Sequence, residues 1–261
     1  MVTNMLMKDK VCVVVGASSL RGIGYASAEL LTTHGAKIVA IDLAMDDTVL
    51  AEITSSIEGN TGVRPEIIGI KCDIQSAKDC DRAIEKALSC FGSIDCLINA
   101  AGIVKARGIL DIPENEYDRI LNVNLKGGFN ICRSVLRVFV KQQYGSLVNV
   151  ASVAAQRGGG LVGGAHYAAS KGGLVSLTKS IAREFGPLNI RANSVCPSMI
   201  ETGMLDGNIT EEQIKNVISS IPLNRAGKPS EIAGACLFLA SDLSSYITGA
   251  TIDVNGGSHI H

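Results

Sequence analysis

Seven short apolar runs punctuate this chain, at residues 11–15, 37–41, 67–71, 96–99, 147–150, 190–195 and 251–254. Bounded by polar and glycine-containing stretches, such runs predict β-strands. Their near-continuous hydrophobicity, as in Val11-Cys12-Val13-Val14-Val15, suits strands buried on both faces. Helices are expected between them, near 23–34, 76–91, 114–141, 165–186 and 229–240. This βαβα alternation predicts a parallel sheet clothed by helices on both sides. The expected architecture is one α/β domain over residues 1–261, a doubly wound sheet in three α/β/α layers. The chain has no internal repeat, and only 158–164 is glycine-dense.

Length agrees with this picture, because 261 residues fit one large core without a linker. Lys plus Arg number 24 against 25 Asp plus Glu, so no broad field favours nucleic acid. No apolar run reaches the ~18 residues of a membrane span, and 1–9 is too short and polar for a signal peptide. A cytoplasmic protein acting on a small molecule is expected, with no nucleic-acid or membrane partner. The eight cysteines are scattered without CxxC or Cys/His clustering, which points to reduced thiols and no metal site. His259 and His261 lie near the chain end, where two histidines are far more often solvated than metal-bound.

Chemistry concentrates in Ala165-His166-Tyr167-Ala168-Ala169-Ser170-Lys171. Tyr167 and Lys171 stand at i and i+4, on one helix face. A cation ~4 Å from the phenol contributes about 4 kcal/mol at an effective dielectric of ~20. That predicts a tyrosine pKa lowered by roughly three pH units, fit to exchange a proton with a carbonyl or alcohol oxygen. Upstream, Gly16-Ala17-Ser18-Ser19-Leu20-Arg21-Gly22-Ile23-Gly24 follows the first strand and opens a helix. In that context glycines admit phosphates to the backbone and the helix N-terminus supplies amide donors. Asp42 ends the second strand roughly 20 residues on, where a carboxylate accepts both ribose hydroxyls and repels a 2′-phosphate, favouring NAD over NADP. Arg21, a basic residue just before the second glycine, instead resembles the pattern of nucleotide-binding loops that prefer NADP. Ser152 follows the strand at 147–150 and should emerge at the carboxyl edge of the sheet.

In this order, the glycine loop, Asn99-Ala100-Ala101-Gly102, Asn122-Val123-Asn124, Ser152 and Tyr167-x-x-x-Lys171 resemble the short-chain dehydrogenase/reductase family. The resemblance runs from Lys10 to about Gly257. It implies a Rossmann-like fold, a nicotinamide cofactor, and hydride exchange between that cofactor and an alcohol or carbonyl substrate. By this resemblance Ser152 polarises the carbonyl, Tyr167 transfers the proton, Lys171 also holds the nicotinamide ribose, and Asn124 supports a water relay to Lys171. Asp73 and Ile74 would meet adenine. Asn99 and Gly102 would let the chain pass beneath the cofactor. Ile200 and Thr202, in Cys196-Pro197-Ser198-Met199-Ile200-Glu201-Thr202, would hold the carboxamide. Ser18, Arg21, Gly22, Ile23 and Gly24 complete the cofactor set.

Three departures accompany the match. Five residues separate Gly16 from Gly22, a widened loop similar to that of the enoyl reductases of this superfamily, which however place six residues, not three, between tyrosine and lysine. Alanine replaces the second asparagine of the family's Asn-Asn-Ala-Gly, and Ser198 replaces a family glycine. The stretch from Gly203 to Ile221 resembles a mobile substrate lid, with Met199, Met204 and Leu205 as an apolar lining, and the glycine-dense 158–164 is expected as a pocket wall. The C-terminal region resembles one that packs between subunits, so a homotetramer is expected. The leading expectation is an NAD(H)-dependent oxidoreductase interconverting a secondary alcohol and its ketone, with polyol or sugar-like substrates among the candidates. The alternatives are an NADPH-dependent 3-oxoacyl-(acyl-carrier-protein) reductase, with Arg133 and Arg137 as a docking hint, and a non-catalytic nucleotide-sensing scaffold.

Overall fold

Alternation along the first strand sets the layering. In β1 (Val11–Val15), Val11, Val13 and Val15 enter one buried cluster while Cys12 and Val14 enter the other, as period-two side chains must. The computed structural model describes residues 5–160, 162–205 and 210–261. Leu161, residues 206–209 and the side chain of Leu205, which the expected pocket wall and lid included, lie outside the described residues.

The elements follow in the order β1, α1 (Ile23–Thr33), β2 (Lys37–Asp42), α2 (Asp47–Thr61), β3 (Ile67–Lys71), α3 (Ala77–Phe91), β4 (Cys96–Asn99) and α4 (Glu114–Leu121). A π-helical turn (Asn122–Gly127) then leads into α5 (Gly128–Gln142), β5 (Gly145–Val150), α6 (Ala154–Arg157), α7 (Ala165–Phe185), β6 (Ile190–Pro197), α8 (Glu211–Ser219), α9 (Pro229–Ala240) and β7 (Thr251–Val254). All seven strands pair in parallel, in the order β3-β2-β1-β4-β5-β6-β7. One cluster seals the sheet against α3, α5 and α7 through Ile84, Ile131 and Ile181, and the other against α1, α2 and α9 through Leu31, Ile53 and Ile232. The three-layer doubly wound architecture is as expected.

Four elements depart from the expected pattern, two of them α6 and α8, which fall where no helix is expected. The helix predicted across 114–141 is interrupted by the π turn, which carries Asn124. Helix α2 was not anticipated: it buries only Ile53 and Ile57, and its start is set by the Asp46 side chain, which accepts from Val49 N at 2.8 Å. Of the cysteines only Cys90 is exposed. Among the described residues, no helix is long and apolar enough to cross a membrane, and no cluster of His, Cys, Asp or Glu could hold a metal.

Candidate active site

Strand order reverses between β1 and β4, and crevices at such switch points open at the carboxyl ends of the strands. A cavity of about 950 Å3 occupies this edge, with Asp42 and Asp73 in one part of its wall and Ser152 and Tyr167 in another.

The glycine loop forms one side. Gly16 has φ +82°, and a Cβ there would stand 2.8 Å from Ala101 N, so only glycine lets the two crossing segments touch. A Cβ on Gly24 would overlap the Gly16 carbonyl. Helix α1 begins without a side-chain cap at Gly22, and Gly22 and Ile23 line the cavity, leaving the dipole and first amides of the helix for a ligand. Asp42 is fixed at the rim: its Oδ2 accepts from Ser18 N at 3.1 Å and its Oδ1 from Ala44 N at 3.0 Å. Ser18 thus contributes through Asp42 rather than through the wall. Arg21 is exposed and does not line the cavity. Asp73 and Ile74 do line it. Asp73 accepts from Gln75 N at 2.9 Å, while Ser76 caps α3, so Asp73 is not the cap. The glycine cradle, open helix end and cavity volume fit a dinucleotide.

One cofactor expectation needs correcting. Asn99 is not in the wall: it is buried beneath, donating from Nδ2 to Asn149 Oδ1 at 2.9 Å, and Asn149 in turn donates to Thr178. Being the last residue of β4, it points into the sheet's packing layer. Gly102 does line the cavity, and a Cβ there would stand 3.1 Å from Lys171 Nζ and 3.3 Å from Asn124 Oδ1.

Ser152 and Tyr167 both line the cavity wall. Ser152 Oγ accepts from Ala154 N at 3.1 Å, which orients it at the head of α6. Lys171 is buried and donates from Nζ to the Val150 carbonyl at 2.8 Å. Asn124 lies behind the wall on the π turn, a distortion often found at functional sites. It accepts from Ile103 N at 2.8 Å and donates to Ile103 O at 2.9 Å and Ser170 Oγ at 3.0 Å. The asparagine therefore ties the segment after β4 to α7. Ile200 and Thr202 line the cavity, joined by a Thr202 N to Ile200 O bond of 2.8 Å, and Ile200 bridges to Gly227.

The electrostatics differ from the expectation at Tyr167. Burial raises its pKa, opposed in part by the nearby Ser152 side chain, so the lowering expected from Lys171 is not found. The reason is direction: the ammonium is engaged by the Val150 carbonyl, and burial lowers its own pKa to about 8.

Several contributors escaped the sequence reading. Ser170 relays between Asn124 and the Tyr167 carbonyl, to which it donates at 2.7 Å; its place just before Lys171 was the available signal. Arg107 forks onto Glu116 at 2.9 and 3.0 Å, and Glu116 Oε1 lies 3.3 Å from Nε2 of the fully buried His166, beside Tyr167. Arg157 lines the cavity. It is the one charged residue within 154–164, a contrast visible in the sequence.

Comparison with known proteins bears on this geometry. A family model described as Enoyl-(Acyl carrier protein) reductase matches residues 16–259. A protein of Sinorhizobium fredii named uncharacterised short-chain type dehydrogenase/reductase is 41% identical over 262 residues, covering 98% of this chain and 100% of its own. A protein of Thermotoga maritima named 3-oxoacyl-(acyl-carrier-protein) reductase is 40% identical over 254 residues, with 97% of this chain and 99% of that one covered. The crystal structure of a short-chain type dehydrogenase/reductase from Mycobacterium marinum superposes with a TM-score of 0.91 at 30% identity, covering 99% and 98% of the two chains.

Proposed function

The chain belongs to the short-chain dehydrogenase/reductase family of NAD(P)-binding oxidoreductases, and within it we propose an NAD(H)-dependent enzyme that interconverts a secondary alcohol and its ketone. One observation carries the reading: a single cavity has the fixed Asp42 carboxylate, Ser152 and Tyr167 in its wall.

Gly16, Gly22, Ile23, Asp42, Asp73, Ile74, Gly102, Ile200 and Thr202 would hold the dinucleotide, which supplies the hydride acceptor or donor. A carbonyl oxygen seated between Ser152 and Tyr167 accepts two hydrogen bonds, which polarises it as negative charge develops. Tyr167 then gives its proton to that oxygen as hydride reaches the carbon, and takes the proton back in the oxidative direction. Lys171, with a pKa near 8, exchanges protons close to neutrality, and Asn124 holds the Ile103 segment and Ser170 in place behind it. A homotetramer belongs to the same proposal. It is supported by the exposed Phe129 beside Leu121, Leu125 and Leu177, and is checked by light scattering of the purified protein.

A second reading, reduction of a 3-oxoacyl thioester with NADPH, is favoured by the names of relatives at 34–40% identity. Asp42 opposes it, because a carboxylate at the rim penalises a 2′-phosphate. The docking hint is weak as well: Arg137 is engaged with Asp81 at 2.9 Å, and Arg133 lies over the Phe129 ring at 5.5 Å. The deciding experiment follows absorbance of the reduced nicotinamide with each cofactor, across secondary alcohols, polyols, hydroxy acids and a 3-oxoacyl thioester. NAD(H) turnover of a simple alcohol or ketone supports the proposal. A kcat/KM with NADP(H) at or above that with NAD(H) overturns the cofactor assignment. Turnover of the thioester alone establishes the second reading, and nucleotide binding without turnover of anything favours the nucleotide-sensing scaffold.

A further inference from the structure

We propose that Arg157 is the anion-binding residue of the substrate site, and that the alcohol or ketone it selects carries a carboxylate. The inference rests on the oxidoreductase reading above and names the substrate class that reading leaves open.

Charge is distributed unevenly around the cavity. Among the described residues its two acidic wall residues are Asp42, which ends β2, and Asp73, which follows β3, and both are engaged by neighbouring amides. The remaining charged wall residues among those described, from β4 onward in the chain, are cationic: Arg119 on α4, Arg157 on α6, and Lys171 on α7. Lys171 is buried against the Val150 carbonyl and belongs to the proton-transfer machinery. Arg157 stands five residues beyond Ser152, at the end of the short helix that Ser152 opens. Among the described residues no carboxylate pairs with it; Nη1 donates to the Ser258 carbonyl at 3.1 Å. A guanidinium presents five N–H donors in a planar fork, so that one bond leaves donors for a bidentate carboxylate.

An arginine on a surface loop would ordinarily be a solvated side chain. What separates Arg157 from that case is how α6 is braced. Next to it, Gln156 Nε2 donates to Asp253 Oδ1 at 2.7 Å and lies 3.0 Å from His261 Nε2, which is itself 3.3 Å from Asp253 Oδ2. Asn255 Nδ2 donates to the His259 carbonyl at 3.1 Å, shaping the tail that carries Ser258. Gly256 and Gly257, at φ +65° and +86°, turn that tail across Ile221 and Pro222, and Leu223 N donates to Gly256 O at 3.1 Å. The C-terminal histidines thus serve as part of a brace that ties α6 to β7 and to the base of the lid, and the exposed guanidinium is steadied by its own bond to the Ser258 carbonyl. Val153, Val162, Met199 and Val217 line the adjoining wall. Together these features suit a short aliphatic chain ending in a carboxylate, with its hydroxyl or keto group at Ser152 and Tyr167.

The test compares short 2-oxo and 3-oxo acids with their methyl esters, which keep the chain and lose the charge. Binding to the NADH complex is measured by calorimetry, independently of turnover, for the unmodified enzyme, R157Q and R157K; NADH affinity of each variant reports that the fold and cofactor site persist. The acid-over-ester preference should fall roughly 10- to 100-fold in R157Q, the range for losing a charged hydrogen bond, with R157K between. Equal binding of acids and esters to the unmodified enzyme, an acid affinity untouched in R157Q, or the absence of acid binding would each overturn the inference. Acids that bind through Arg157 yet exchange no hydride would leave it standing and refute the proposed reaction. Turnover confined to neutral alcohols would do the reverse.

Discussion

Replacing Lys171 by methionine removes a buried ammonium while nearly preserving side-chain length, and its effect on stability should change sign with pH. Burial lowers the folded-state pKa of Lys171 from 10.5 to about 8. Below about 8 the side chain is protonated in both folded and unfolded chains, and the folded state bears the whole cost of holding the charge away from water. The interval from 10.5 to about 8 corresponds to about 3 kcal/mol. Between those pH values the unfolded chain binds more protons, so stability of the natural protein rises with pH; above 10.5 both forms are neutral and the cost vanishes. Methionine carries no such cost, but it leaves the Val150 carbonyl without the donor now 2.8 Å away, a loss of about 1 kcal/mol. The variant should therefore be about 2 kcal/mol more stable at about pH 7 and about 1 kcal/mol less stable above the unfolded lysine pKa. The two curves should cross near pH ~10. In a chain of 261 residues the neutral-pH gain corresponds to a Tm rise of about 4–8 °C. Urea unfolding of the cofactor-free proteins across this pH range measures the difference directly. A variant less stable than the natural protein at neutral pH, or one whose stability climbs as steeply between pH ~8 and ~10, would refute the buried-charge account. Activity should be lost in the same variant, so the site would be working against the stability of the chain that carries it.

Tyr167→Phe keeps the ring and removes the transferable proton; turnover should drop roughly 100- to 10,000-fold while NADH still binds, and unchanged turnover would remove Tyr167 from the mechanism. Asp42→Ala takes away the carboxylate at the rim, so the ratio of kcat/KM for NAD(H) over NADP(H) should fall at least about 10-fold, as steady-state rates with both cofactors would show. Gly163→Ala would push a Cβ into the Tyr167 ring, whereas Gly160→Ala enters open space. The first should lower kcat with NADH affinity retained and the second should do neither; equal behaviour of the two would mean that the glycine loop does not constrain the tyrosine.

The parts of the fold that hydrophobicity encodes were readable, and the parts that individual polar contacts encode were not. Each strand declares itself because both of its faces are buried, as the division of Val11, Val13 and Val15 from Cys12 and Val14 shows. Helix α2 offers no comparable stripe, since Ile53 and Ile57 are its only buried residues. The π turn left no trace in the pattern: Asn124 bonds both backbone groups of Ile103, a partner 21 residues away, and no local spacing predicts such a pairing. The wall of the site was legible at Asp42, Asp73 and Ser152, which lie at or just past the carboxyl ends of strands. It was misread at Asn99, where the last residue of β4 turns toward Asn149 instead of the cavity. Arg157 was passed over beside a run of glycines because its orientation depends on Ser258, about a hundred residues further along the chain.

The same distinction explains the error at Tyr167. Spacing of i and i+4 places two side chains on one helix face, but it does not decide what the longer one binds. Lys171 can extend to the carboxyl end of β5, where the Val150 carbonyl offers a buried acceptor, and its charge is committed there. Burial then acts on both groups in the direction that disfavours charge, raising the phenol and lowering the ammonium. Both shifts favour the neutral tyrosine, the form that donates a proton to a reduced carbonyl oxygen, over the phenolate that would accept one from an alcohol. The chain alone thus holds Tyr167 in the form that can donate a proton. Any lowering of the Tyr167 pKa needed for oxidation at neutral pH must come from charge brought into the cavity with its ligands.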